Sequence, residues 1–282
     1  MKKLLQHATA FMALAVLATG CQKMDRPAMA DYPVDANPPG GPLNFYAAFD
    51  GTTSNPLMNA VDSIRANFAS ANDFTVIDGI SGKAVQGVNK KKIKYGKPND
   101  WAIQAKSFTF SFWYKRDGQT KNNTGTNGPE YIASFKSSNG HWSGSNLLLF
   151  LEGNNAGCAV KVMIADKNVA DSWFTWEGGG VIPGMLDNKW HHIGITYDAT
   201  SSSMTLYLDG VANPNKKTWT GHGNININND AIVEMRVGAG PADNIDSDDW
   251  LSSSFKGGID QFRMYSKALT AAEVQSLFAN KK

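Results

Sequence analysis

The chain is poor in the residues that most often carry chemistry. Its 282 residues hold two cysteines, Cys21 and Cys158, so no disulfide framework can brace it and a domain must rest on its hydrophobic core. Glutamate is scarce, with only Glu130, Glu152, Glu177, Glu234 and Glu273. No Gly-x-Ser-x-Gly turn, phosphate-binding loop or zinc-spaced histidine pair occurs, which removes several common hydrolase and nucleotide-binding classes. Neither sign of charge dominates, with 27 basic and 25 acidic residues and no basic run, so nucleic acid is excluded as the expected partner. The one long apolar run, Phe11 to Ala18, is too short to span a bilayer as a mature helix.

That run has another reading. "MKKLLQHATAFMALAVLATGC" places two lysines before it and small residues after it, the pattern of a secretory signal. A cysteine directly after Ala18-Thr19-Gly20 resembles the lipobox of bacterial lipoproteins, with Ala18 standing where leucine is common and Leu17 one place early. The alternative is ordinary cleavage, which leaves Cys21 free. Residues 1–20 are therefore expected as a lipoprotein signal peptide and Cys21 as the lipidated residue. Loss of Lys2 and Lys3 brings the basic count to 25 against 25 acids, a formally neutral mature chain. Residues 21–42 carry five prolines and Gly40-Gly41 without apolar periodicity, as a flexible tether does. The folded domain is expected over 43–282.

Within it, short strand patterns alternate with turn residues. "FTFSFWYK" puts Phe108, Phe110, Phe112 and Tyr114 on one face and Thr109, Ser111, Trp113 and Lys115 on the other. "NLLLFLE" is apolar throughout, as a strand covered on both faces must be. "MTLYLDG" alternates and then turns at Asp209-Gly210, a pair suited to a tight hairpin. "VEMRVGAG" and "GGIDQFRMYS" read as two more strands. The pattern predicts an all-β sandwich of two antiparallel sheets. "NAVDSIRANF" shows modest helical spacing. A clearer helix ends the chain, opened by a Thr270–Glu273 capping box, and is expected to pack on the sandwich edge.

"KWHHIGITYD" contains two of the five histidines, His191 and His192. On a strand, neighbours point to opposite faces, so the two cannot converge on one metal. They are read as structural.

"FTFSFWYK", "KWHHIGITYDATSSSMTLYLDG" and "FKGGIDQFRMYSKALTAAEVQSL", with "DGISGKAVQG" upstream, together resemble laminin-G-like domains of the concanavalin A-like lectin/glucanase superfamily. The tether and "NPPGGPLNFYAAFDG" are similar to those of Bacteroidetes-type lipoproteins that stand beside outer-membrane glycan-uptake systems. The resemblance implies a jelly roll whose loops bind glycans or proteins. It also implies glucanases as relatives, and these need two carboxylates about 5 Å apart. None of the five glutamates falls in the Glu-x-Asp-x-x-Glu pattern of the laminarinase-like members, so the expectation leans away from an enzyme.

Sugars stack on flat aromatic faces and bond through their hydroxyls. Trp113 and Trp190 fall inside strands, whereas Trp142, Trp173, Trp176, Trp219 and Trp250 sit among Gly, Ser, Asn and Asp. These five are the carbohydrate-binding candidates. "PADNIDSDDW" is acidic but lacks the spacing of an EF-hand and reads as a solvated loop. First and last strands are neighbours in the resembled fold, so Asp50 and Asp260 are candidates to share one structural calcium ion, as some relatives of that family do.

The sequence thus predicts a surface-exposed outer-membrane lipoprotein, attached only through its lipid, that binds polysaccharide beside transporter components. A protein-interaction or adhesion module is the alternative, and a glycan lyase or hydrolase of the same fold a third.

Overall fold

A computed structural model describes residues 41–50, 71–98 and 100–281. The expected signal peptide, Cys21, nearly all of the tether and the helix read in "NAVDSIRANF" lie outside the described residues. In chain order the strands are β1 (Leu43–Ala47), β2 (Ala71–Asn72), β3 (Thr75–Asp78), β4 (Lys83–Gln86), β5 (Ile93–Tyr95), β6 (Phe108–Asp117), β7 (Glu130–Ser137) and β8 (Ser145–Asn154). They continue with β9 (Gly157–Asp166), β10 (Val169–Trp176), β11 (Asp187–Asp198), β12 (Ser203–Leu208), β13 (Val211–Ala212), β14 (Lys217–Thr218), β15 (Ile232–Val237) and β16 (Gly258–Tyr265). Two α-helices, α1 (Trp101–Gln104) and α2 (Ala271–Asn280), and three single-turn 3-10 helices complete the described elements.

The strands form two antiparallel sheets. The first runs β13-β12-β11-β6-β16-β4-β3, with β1 also on β16 and β14 also on β12. The second runs β10-β9-β8-β7-β15-β5-β2. This is the all-β sandwich that the alternation predicts, a jelly roll as the resemblance implies, with the short C-terminal helix that the capping box opens. Phe108, Phe110 and Phe112 from the first sheet meet Leu147, Leu149, Leu151, Val160 and Val162 from the second in one continuous core. Trp101 of α1 closes it against Phe108 and Phe135, its indole donating to the Tyr265 carbonyl at 3.1 Å. Buried large side chains of this kind each contribute about 2–3 kcal/mol relative to exposure.

The C-terminal helix departs from expectation. Its capping box forms as read, with the Thr270 hydroxyl accepting from the Glu273 amide and the Glu273 carboxylate accepting from the Thr270 amide. Instead of the sandwich edge, α2 covers the outer face of the first sheet. Phe278 stacks on Trp113 at 5.5 Å, and Val274 packs with Tyr207, Tyr265 and Leu43. Gly194 permits this approach, because a Cβ there would lie 2.8 Å from Val274 Cγ1.

The paired histidines divide as strand geometry requires. His191 lies between Asp209 (2.8 Å) and Asp187 (3.0 Å), with Asp209 first among the contacts that hold its pKa above the usual value. His192 points the other way, fully buried beneath α2, with Nε2 2.9 Å from the Ser111 hydroxyl. Burial, aided by the charge of Arg263, pushes His192 down to about 4.

Candidate functional site

The second sheet turns one face to the core and the other outward, and the outward face changes character across its width. On β8 the outward positions are Asn146, Leu148, Phe150 and Glu152, as the core takes Leu147, Leu149 and Leu151. Register places Phe150 beside Lys161 and Leu148 beside Met163 on β9, and Met163 beside Trp173 on β10. Further along, β7, β15 and β5 carry a charged half in which Glu234 holds both Arg236 (2.6 Å) and Lys94 (2.7 Å). The aromatic half lies on β8–β10 and the start of β7, where Tyr131 meets Phe150.

Two loops add to it. Trp142 comes from the β7–β8 connection and Trp250 from a short 3-10 turn before β16, where Asp249 accepts from the Leu251 amide at 2.7 Å. Trp250 is the central ring. Its centroid lies 6.4 Å from Trp142, 6.3 Å from Trp173, 5.2 Å from Phe150 and 5.7 Å from Tyr131. Phe150 and Tyr131 are fully buried beneath it, while Trp142 is 61% and Trp173 37% exposed. Trp142, Phe150, Trp173 and Trp250, together with Lys161, Thr175 and Glu177, line a cleft of about 610 Å³, within the size range of small-ligand sites.

Distant side chains fix the Trp250 loop. Asn123 donates to the carbonyls of Ile245 (2.6 Å) and Ser252 (3.0 Å) and accepts from the Ser254 amide (3.1 Å). The Thr124 hydroxyl donates to Asp248 at 2.8 Å. Trp142 is steadied by its own indole N–H, which donates to Asp171 at 3.2 Å.

Beside the rings lies a polar rim. Lys161 Nζ sits 2.9 Å from Glu152 and 2.7 Å from Glu177. Against the cost of burial, hydrogen bonds to Glu177 and Glu152 hold the ammonium above its ordinary pKa. The Lys161 hydrogen bond holds Glu177 below the usual carboxylate range. A glycosidase acid needs the opposite displacement, a carboxyl kept protonated near neutral pH. The arrangement suits hydrogen bonding to hydroxyls, with the ammonium donating and the carboxylates accepting.

Of the five tryptophans named from sequence, the structure brings together Trp142, Trp173 and Trp250 and places the other two elsewhere. Trp173 and Trp176 are both in β10 rather than in a loop, and an odd separation on a strand sends them to opposite faces. Trp176 is fully buried in the core, its indole donating to the Asn215 carbonyl at 2.6 Å. Trp219 packs against the core beside Phe174 and stacks flat on His222 at 3.5 Å. Neither is available to a ligand on the outer face. Phe150, Lys161, Thr175 and Glu177 were not candidates from sequence. Period-2 counting along "NLLLFLE" and "GCAVKVMIAD" would have put Phe150 and Lys161 on one face once the strands were paired.

The calcium candidates meet at a second place. Asp260 is fully buried on β16, and Asp50 follows β1, which pairs with β16. Asp260 Oδ2 accepts from the Ile80 amide at 2.9 Å, and Asp50 Oδ1 accepts from the Lys83 amide at 2.7 Å. Both carboxylates thus lean on the 79–83 turn. A Cβ on Gly79 would fall 2.5 Å from Asp260 and one on Gly82 2.1 Å from Asp50. Asp260 Oδ1 is buried with no hydrogen-bond partner. Burial, reinforced by the charge of Asp50, pushes Asp260 up to about 7. Among the described residues no three His, Cys, Asp or Glu side chains cluster, so a cation here would complete its shell with carbonyls and water. The residues fit a hard, oxygen-seeking ion.

The Laminin_G_3 family, described as concanavalin A-like lectin/glucanases superfamily, matches residues 90–275, well over half of the chain. The chain belongs to this family. No curated protein matches the Laminin_G_3 chain significantly. Solved structures share its fold at low identity. Domain 4 of AbnA, a GH43 extracellular arabinanase from Geobacillus stearothermophilus in complex with arabinotriose, is 18% identical with a TM-score of 0.53. That match covers 83% of this chain and 97% of the arabinanase domain. The binding domain of Paraclostridial Mosquitocidal Protein 1 is 19% identical with a TM-score of 0.54, covering 84% of this chain and 52% of the other. The Botulinum neurotoxin serotype D binding domain is 14% identical with a TM-score of 0.55, covering 85% and 51%. The Laminin_G_3 chain therefore spans about half the length of the toxin binding domains it matches.

Proposed function

We propose that the protein binds a neutral polysaccharide without cleaving it, on the platform formed by Trp142, Trp173 and Trp250. The observation that carries this reading is the convergence of three indoles from three separate segments around one open cleft. Two of the three keep more than a third of their surface in solvent, where burying them yields nothing until a ligand arrives. A cleft rather than a flat patch favours a sugar over a protein partner, since only a groove buries most of a ring. Neutral glycans are favoured by charge. Lys161 is already shared between two glutamates, and Asp171 and Asp249 add negative charge beside Trp142 and Trp250. An anionic polysaccharide would meet repulsion there. The likeness to an arabinanase domain seen with arabinotriose makes arabinan the first glycan to test.

Trp250→Ala is expected to weaken polysaccharide retention on native affinity gels by about 100-fold, because its ring supports both of the others. A panel of arabinan, xylan and mixed-linkage glucan supplies the probes. Retention unchanged in the variant would refute the platform, and release of reducing ends by the wild type would refute binding without cleavage. The sequence features of the N-terminus support a lipoprotein anchored at Cys21 in the outer membrane, surface-exposed beside a glycan-uptake complex. Labelling with palmitate that survives Cys21→Ser would count against the anchor.

The orphaned Asp260 oxygen supports one structural calcium ion between Asp50 and Asp260. At a hundredfold excess over its Kd, calcium is expected to add about 2.7 kcal/mol, or roughly 5–10 °C in Tm. Asp260→Asn should be indifferent to the ion. Identical melting in calcium and in EDTA would remove this site from the proposal.

A further inference from the structure

A second cleft, of about 400 Å³, lies beside the tryptophan platform. Six of its eight lining residues carry polar side chains, Asn139, His141, Asn146, Asp166, Lys167 and Asn228, with Gly140 and Ala165 between them. Asn146 is 1% exposed, yet its Oδ1 has no hydrogen-bond partner, and its Nδ2 reaches the Ala165 carbonyl only at 3.5 Å. A buried amide left half satisfied is costly to the folded protein. Asp166, by contrast, is fully engaged. It accepts from the amides of Asn168 (2.8 Å) and Asn226 (2.6 Å) and lies 3.2 Å from His222. The cleft is therefore a shaped wall with one unanswered group in it.

Register relates this cleft to the platform. Asn146 precedes Phe150 by four positions on β8, so both face outward, about 13 Å apart at 3.3 Å per residue. The β7–β8 loop forms the partition between them. His141 lines the polar cleft and Trp142 the aromatic one, with ring centroids 5.4 Å apart. Asp171 ties the two, accepting from the Trp142 indole at 3.2 Å and lying 3.3 Å from His141 Nε2.

We propose that the polar cleft at Asn146 is a second subsite for the same glycan, holding the hydroxyl-bearing edge of a sugar unit further along the chain from those stacked on the tryptophans. The inference rests on the platform reading above. The aromatic cleft supplies stacking area, and the polar cleft reads hydroxyl positions, with the Asn146 oxygen accepting and the Lys167 ammonium donating. The distance between them exceeds one sugar ring. The ligand is thus an oligosaccharide stretch of a neutral polysaccharide rather than a monosaccharide or a terminal residue.

The test uses isothermal titration of the full chain with arabino-, xylo- and gluco-oligosaccharides, as disaccharides and as hexasaccharides. One hexasaccharide is expected to bind at least about tenfold more tightly than its disaccharide. Asn146→Leu, which removes the orphaned acceptor while keeping the branched shape and the number of heavy atoms, is expected to lower hexasaccharide affinity about tenfold and leave the disaccharide unchanged. Its Tm should be equal to or above that of the wild type, which separates lost recognition from lost folding. Asn228→Ala should reproduce the effect more weakly. The Asn146 side-chain amide resonance should shift with the hexasaccharide and not with the disaccharide. If Trp250→Ala weakens binding while Asn146→Leu does not, the subsite is wrong and the platform stands. If neither variant matters, or no oligosaccharide binds the wild type, both readings fall.

Discussion

Replacing Glu130 by alanine is expected to remove about 4 kcal/mol of stability, the largest effect of any single change considered. Glu130 is fully buried at the start of β7. One oxygen accepts from Arg116 Nη2 (2.8 Å) and the Lys121 amide (3.0 Å), and the other from Arg116 Nε (2.9 Å) and the Lys256 amide (2.9 Å). Lys256 Nζ lies 3.9 Å away, and burial pushes its pKa down to about 8. One carboxylate therefore joins β6, the 118–129 loop, β7 and the approach to β16. Alanine would take the carboxylate away from the Arg116 guanidinium and the Lys256 ammonium and leave the amides of Lys121 and Lys256 without the acceptor they now use. Glutamine keeps the shape and part of the hydrogen bonding, so its cost should fall between. Urea midpoints of the two variants measure this directly. An alanine variant within about 1 kcal/mol of wild type would show that the network is dispensable. The consequence reaches the platform, because the 118–129 loop carries Asn123, which holds the loop of Trp250.

Acidification is expected to act through His192 with a swing of about 3 kcal/mol. Its folded pKa, about 4, lies below the ordinary 6.5 because of burial. Between those values the unfolded imidazole takes up a proton that the folded one refuses. The stabilisation from neutral His192 is thus complete above about pH 6.5 and is lost as pH falls toward 4. His191 behaves oppositely, since its raised value gives stability that is present in acid and lost as pH climbs above the ordinary value. Asp260, if left without a cation, also opposes His192 in this window. The clean quantity is the difference in unfolding free energy between wild type and His192→Phe in calcium buffer, followed from pH 7 to pH 4. A flat difference would show that the buried imidazole is protonated or relaxes at little cost.

Local patterns carried the fold. The alternation in β6 and β12, the Asp209–Gly210 turn and the Thr270–Glu273 box each act over a few residues, so the sequence displays them whole. The site was legible only in part because it is assembled across long separations. Trp250 joins the cleft through Asn123, more than a hundred positions away, and no local signal announces that bond. Trp176 was misplaced for a different reason. Gly178-Gly179-Gly180 and the polar neighbours of "DSWFTWEGGG" suggested a loop, and without a strand assignment the parity separating Trp173 from Trp176 has no meaning. The position of α2 also escaped. Trp113 and His192 lie on the face opposite the phenylalanines of β6, and a solvent face and a helix-covered face look alike until the covering element is placed.

The position of β16 governs when this chain can become a protein at all. β1, β4 and β6 all take it as neighbour, with Leu43 paired to Tyr265 across almost the entire domain. During synthesis these three strands emerge early and then wait for residues 258–265. Such a sheet is slow to close because its contacts are so distant along the chain. Until the last segment arrives the nascent domain has unpaired edges and an open core, the state in which a chain most needs a chaperone. A truncation before residue 258 would remove not one strand at the margin but the seam that holds the first sheet together.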